Sequence, residues 1–169
     1  MTSSLTLPMP PASDAAGWIA DAVSAVAEQS FFALVDMSGP PRLDESGDRW
    51  LMSTVRFDDG VVTGSLACWM PTALAHVLYD AFSGRDPAEA APPADQVDDL
   101  VGEFSNMVCG DWLSRMVGQR AFHLSPPHVV RVGRPTPQTA RRRWLNVNDQ
   151  PLAVDWDIAR SLGGVKGGW

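Results

Sequence analysis

Hydrophobic positions recur at two different periods along this chain, and the changes of period mark its elements. From Asp14 to about Gln29, Trp18, Ile19, Ala22, Val23 and Val26 fall at helical spacing, which predicts an amphipathic helix with Asp14 as its N-cap. Phe31 to Val35 reads as a short strand, ended by Ser38-Gly39-Pro40-Pro41. Arg49 to Phe57 and Val61 to Trp69 are β-rich runs, and the Asp58-Asp59-Gly60 between them predicts a hairpin turn. Pro71 suits the first turn of a second helix carrying Leu74, Val77, Leu78 and Phe82, and Gly84 suits its stop. An Ala/Pro/Asp linker, Arg85 to Ala94, leads into a long helical segment over residues 95–118. His123 to Arg134 and Trp144 to Trp156 are β-like, separated by a Pro/Thr/Arg loop. Strands in hairpins with two or three long helices predict an α+β domain with a largely antiparallel sheet. Residues 1–13, with Pro8, Pro10 and Pro11, read as a disordered leader, residues 14–160 as one domain, and the glycine-bearing residues 161–169 as a flexible tail.

The helix over residues 95–118 has an unusual polar face. At about 100° per residue, Asp99, Glu103, Asn106 and Gly110 fall in one narrow stripe. The opposite arc, with Val97, Val101, Phe104, Val108, Trp112 and Met116, is a complete core face. Solvated helix faces are commonly built from Asp, Glu and Asn, so a single Glu-x-x-Asn pair has little weight. Asn, however, is a mediocre helix former, and Gln, Lys or Glu serves solubility better. A mid-helix glycine costs roughly 1 kcal/mol against Ala, so Gly110 points to a close approach or a kink. Glu103 offers an acceptor to a cation, while the Asn106 amide has the donors and the acceptor needed to orient a water.

Asp99-x-x-x-Glu103-x-x-Asn106-Met107-x-x-Gly110 resembles the signature helix of the CheC/CheX/FliY family of chemotaxis phosphatases. The preceding Gly64-Ser-Leu-Ala-Cys-Trp-Met70, and the Ala/Leu-rich helix ending at Phe82-Ser-Gly84, are similar to the strand and helix before the signature in CheX-like domains. Pro127-His-Val-Val-Arg-Val-Gly133 resembles the proline-led strand after it, and Pro151 to Asp157 the closing strand. These segments run in family order over roughly residues 15–158, and one copy of the signature is visible. The first helix has Asp21 and Glu28 without a matching Asn.

The resemblance implies a CheX-like fold and a phosphatase acting on the phospho-aspartate of a CheY-type response-regulator receiver domain. In that reading Asn106 positions the attacking water and Glu103 pairs with a lysine of the partner. Asp99 and Gly110 are supporting residues. The Mg2+ belongs to the receiver's acidic pocket, so this chain needs no cofactor or metal of its own. The resemblance and the single signature helix also imply a homodimer. The alternative from another class is a non-catalytic CheX-like module that docks on a receiver or another signalling protein. A purely structural α+β domain ranks last.

Composition narrows the field further. The 169 residues are 45% hydrophobic, enough for a real core, and the net charge of −7 argues against a nucleic-acid surface. The cationic run Arg141-Arg142-Arg143 reads as a solvated loop or strand end. Cys68 and Cys109 lie in apolar runs and read as buried thiols, neither disulfide nor metal pair. His76, His123 and His128 show no metal-ligand spacing. No Gly-x-Ser-x-Gly elbow, phosphate-binding loop or dinucleotide turn occurs. Most of the seven tryptophans read as packing residues. The start of the chain lacks a signal-peptide pattern, and no apolar run has bilayer-spanning length, so the expected location is cytoplasmic, away from membranes.

Overall fold

A computed structural model of the chain describes residues 12–37, 49–118, 120–136 and 141–160. In chain order these residues form α1 (Ala12–Phe31), β1 (Val35–Asp36), β2 (Trp50–Asp58), β3 (Val62–Pro71), α2 (Thr72–Ser83), α3 (Ala94–Val117), β4 (His123–Leu124), β5 (His128–Val132), β6 (Arg142–Val147) and β7 (Gln150–Arg160). Most of the expected leader (residues 1–11) and the expected tail (residues 161–169) lie outside the described residues. The helix expected from Asp14 already includes Ala12 and has Asp14 in its first turn, where a carboxylate favours the positive end of the helix dipole.

The sheet is α+β in the expected sense. Its order is β1-β6-β7-β3-β2-β4, with β5 also pairing β2, and every pairing is antiparallel. The β2–β3 hairpin forms where predicted. The Asp58 carboxylate accepts the Gly60 N–H at 2.6 Å, and Asp59 accepts those of Val61 and Val62 at 2.9 and 2.7 Å, so side chains replace backbone partners in the turn. Alternation then sends Leu51, Val55, Phe57, Leu66, Cys68, Met70, Leu152 and Val154 to one face, where they form a single core with buried residues of all three helices.

Four expectations need correction. Phe31 to Val35 is not a strand: α1 continues through Phe31, Phe32 adopts φ 52, and only Val35–Asp36 pairs. The β-like run Trp144 to Trp156 is two strands. Asn148 and Asp149, both with positive φ (47° and 62°), make a two-residue hairpin turn between β6 and β7. Val77 and Phe82 do not belong to the buried face of α2, which consists of Leu74, Ala75 and Leu78. Finally, Arg142 is no solvated loop residue. Its side chain is 5% exposed, it pairs with Asp155 through two hydrogen bonds of 2.6 and 2.7 Å, and it lies over the rings of Trp69 and Trp144. This small cluster sits on the sheet face away from the helices, which is why periodicity on the core face gave no sign of it.

Pro71 ends β3 and caps α2 from the N-cap position, one residue before the helix begins. Gly84 closes α2 in the left-handed region, φ 67, donating its N–H to the Asp80 carbonyl.

Candidate functional site

Helix α3 forms because its apolar residues repeat at helical spacing and its ends are electrostatically suited. Asp95 lies in the first turn, and Arg115 in the last turn bonds Asp111 one turn back at 2.5 Å. Val97, Val101, Phe104, Val108 and Trp112 are all buried, as expected, and Met116 packs against the core while partly exposed. Several contacts fix the rotation of the helix about its axis. The Trp112 indole donates to the Ala15 carbonyl at 3.3 Å, and Phe104 meets Phe31 edge-on at 5.3 Å between centroids. Asp98 accepts both guanidinium arms of Arg131 at 2.9 Å. Gly102 faces Pro127, whose Cγ would lie 3.0 Å from an added Cβ, so the helix sits unusually close to the link before β5.

With that side anchored, the stripe expected from the sequence points outward. Asp99 and Glu103 are exposed, while Asn106 and Gly110 are half-buried. Glu103 and Asn106 are about 4.5 Å apart along the helix axis, and the stripe from Asp99 to Gly110 runs about 16 Å. Among the described residues, the side chains of Asp99, Glu103 and Asn106 have no hydrogen-bonding or ionic partner. A Cβ at Gly110 would meet nothing within 4 Å, so the missing side chain serves no contact inside this chain. The result is an open ridge with two carboxylates, one carboxamide and one bare backbone position.

Beside the ridge lies a feature that sequence reasoning missed. Tyr79 and Phe82 of α2 face Asp99, Leu100 and Glu103 across an open groove of about 380 Å³. The Tyr79 hydroxyl donates to Gln96 at 2.5 Å, and Phe82, 54% exposed, stacks on Phe31 at 5.4 Å. Grouping Phe82 with the other apolar residues of α2 gave no sign of this wall. The available signal was its position at the last turn of α2, where a helix leaves the core.

Elsewhere the candidate chemistry is sparse. Cys68 and Cys109 are buried free thiols, and burial pushes both up to about 12, which removes them as nucleophiles. No group of three His, Cys, Asp or Glu residues that could hold a metal ion occurs among the described residues. None of the described helices is long and apolar enough to cross a membrane.

Comparison with known proteins shows the family and the fold. The family model for chemotaxis phosphatase CheX matches residues 51–142, which contain the whole ridge and the groove. A search of curated protein sequences finds no match. Among solved structures, the chemotaxis protein CheX of Desulfovibrio desulfuricans superposes with a TM-score of 0.66 at 16% identity, covering 86% of this chain and 99% of that one. A chain of the CheX–CheY–BeF3–Mg2+ complex from Borrelia burgdorferi gives 0.57 at 15% identity, covering 84% and 96%. FliY of Thermotoga maritima gives 0.57 at 16% identity, covering 93% of both chains. At these identities the structures show a shared fold.

Proposed function

Because the chain belongs to the CheX family of chemotaxis phosphatases, we propose that it hydrolyses the phospho-aspartate of a CheY-type receiver domain, with the α3 ridge entering the receiver's active site. The observation that carries this reading is the ridge itself: Glu103 and Asn106 project from a rigidly anchored helix with their polar groups unspent. The CheX of Borrelia burgdorferi, similar in fold, was solved in complex with CheY, BeF3 and Mg2+, which supports a receiver as the partner.

An acyl phosphate is already reactive, so positioning accounts for most of the catalysis needed. The Asn106 carboxamide holds a water in line with the phosphorus–oxygen bond of the aspartyl phosphate. Water oxygen bonds to phosphorus, the bond to the aspartyl oxygen breaks, and inorganic phosphate leaves a free carboxylate. Glu103 pairs with a lysine of the receiver and sets the depth of insertion. Asp99 supports from one turn away, and the bare backbone at Gly110 lets the receiver approach. The Mg2+ is held by the receiver.

Phosphate release from a panel of phosphorylated receivers tests the reading. Asn106→Ala should slow release by about 10²-fold while leaving capture of the phosphorylated receiver nearly intact. Glu103→Gln should weaken capture, more so at low salt, as well as slow turnover. Capture of receivers without any acceleration by the wild-type chain would make it a docking module. An Asn106→Ala variant that folds and works at the wild-type rate would remove Asn106 from the mechanism.

A further inference from the structure

Across the sheet from α3, the outer face holds donors that have no acceptor. Six arginines of this acidic chain pair with aspartates: Arg85, Arg115, Arg120, Arg131, Arg141 and Arg142. Arg56, two residues before the end of β2, is exposed and its guanidinium has no partner among the described residues. Its place is set by a break in the sheet. β4 pairs Phe57 and Asp58, β5 pairs Trp50 to Thr54, and Arg56 faces the gap between them, where its N–H donates to Ser125 Oγ at 3.0 Å and its carbonyl accepts the Ser125 N–H at 2.8 Å.

Strand register then sets the neighbours. Ser65 lies directly opposite Arg56, His128 opposite Thr54, and His123 opposite Asp58, all on the same sheet face. Two open grooves, of about 410 and 400 Å³, meet at Arg56 and Ser125; His123 and Ser65 line the first, His128 and Thr54 the second. The hydroxyls of Ser65 and Thr54 and both imidazoles also have no partner among the described residues. Two carboxylates lie nearby, Asp58 in the lining of the first groove and Asp157 beside it. Asp58 accepts the Gly60 N–H, and Asp157, opposite Ser65, is paired with Arg141.

We propose that Arg56, with His123, His128, Ser65 and Thr54 around it, binds the phosphate group of a small molecule on the face of the sheet opposite the α3 ridge. A planar fork flanked by hydroxyl and imidazole donors matches a tetrahedral oxyanion, and grooves of this size have room for an organic group beyond it. The chain's net charge of −7 opposes general anion adsorption, so binding here is local. The site is independent of the phosphatase reading.

Proton NMR of the His123 and His128 ring resonances in the full chain tests it, titrating inorganic phosphate, adenosine monophosphate and adenosine separately against sodium chloride at matched ionic strength. Saturating shifts with phosphate or the monophosphate, with a Kd on the order of 1 mM or below, are expected. Equal affinity for the two identifies a free-anion site, and tighter monophosphate binding identifies a phosphate-ester site. Arg56→Gln, on an exposed strand position, should keep the fold and weaken binding about tenfold or more, with Arg56→Lys intermediate. Shifts that sodium chloride reproduces, adenosine binding as well as its monophosphate, or unchanged affinity in Arg56→Gln would each overturn the proposal.

Discussion

Two glycines of the same helix show what a single residue's environment adds to its sequence. Gly102 and Gly110 are both mid-helix, and both invite the same reading of a close approach. The structure separates them. Gly102 is buried against Pro127, whereas a Cβ at Gly110 would stand in open space. Gly110→Ala should therefore stabilise the chain by about 0.5–1 kcal/mol, the usual helix gain, read as a raised urea midpoint. Gly102→Ala should lose most or all of that gain, because the proline ring must shift. If both variants gain equally, the tight approach at Pro127 is not real. The contrast bears on function. A position where alanine is better for folding, yet glycine stands, fits the proposed approach of a receiver, and Gly110→Leu should slow phosphate release without unfolding the chain. At this scale the stripe of Asp99, Glu103, Asn106 and Gly110 was legible, because helical periodicity alone puts the four together. The neighbour that distinguishes one glycine from the other comes from residue 127 and was not.

At the scale of elements, legibility followed the core. β2, β3 and α3 carry long apolar periods and explicit turn or end signals, and they lie where the sequence puts them. The failures fall where a second influence overrides the period. The Asn148-Asp149 turn splits a continuous β-like run, because two residues in the left-handed region need no glycine when Asn and Asp occupy them. The turn is also held from outside, since Asn148 Oδ1 accepts the Leu34 N–H and the Asn148 N–H donates to the Leu34 carbonyl, both at 2.8 Å. The arginine run is the sharper case. Arg141, 51% exposed, pairs with an exposed Asp157, while its neighbour Arg142 sits between two tryptophans with its charge matched by Asp155. Arg141 lies in the turn just before β6 and Arg142 is the strand's first residue; both pair with aspartates on one face of β7, and the tryptophan rings beneath Arg142 make the difference, which no count of charges can reveal. Arg142→Lys keeps the charge but loses the fork and the stacking, and should cost about 2 kcal/mol in urea unfolding. Arg141→Ala should change stability by less than about 0.5 kcal/mol. Equal losses would mean that the Trp69–Arg142–Trp144 cluster contributes nothing beyond a surface ion pair.

For the molecule as a whole, the sheet has an end that the described residues leave uncovered. β1 is the terminal strand of the order and pairs only with β6 among the described residues. Beside it, the large apolar side chains Phe32 and Leu34 are 77% and 78% exposed. Phe32 also holds φ 52, a strained conformation for a bulky residue, and this turns the chain out of α1 toward the edge. Exposed apolar side chains beside a terminal strand favour association, and association with a second copy about a two-fold axis closes the assembly, whereas other arrangements continue indefinitely. The expected state is thus a homodimer joined along β1, with Phe32 and Leu34 buried between protomers. The α3 ridge faces away from the sheet, so each protomer keeps its own site and activity should not depend on association. Light scattering across micromolar concentrations should give the mass of two chains for the wild type. It should give one chain for Phe32→Asn with Leu34→Lys, in which Asn accepts the left-handed backbone and Lys blocks edge pairing. That variant should still release phosphate from a cognate receiver at close to the wild-type rate per chain. A wild-type mass of one chain over the whole range would sink the dimer, and a dimer untouched by the double substitution would move its interface away from β1.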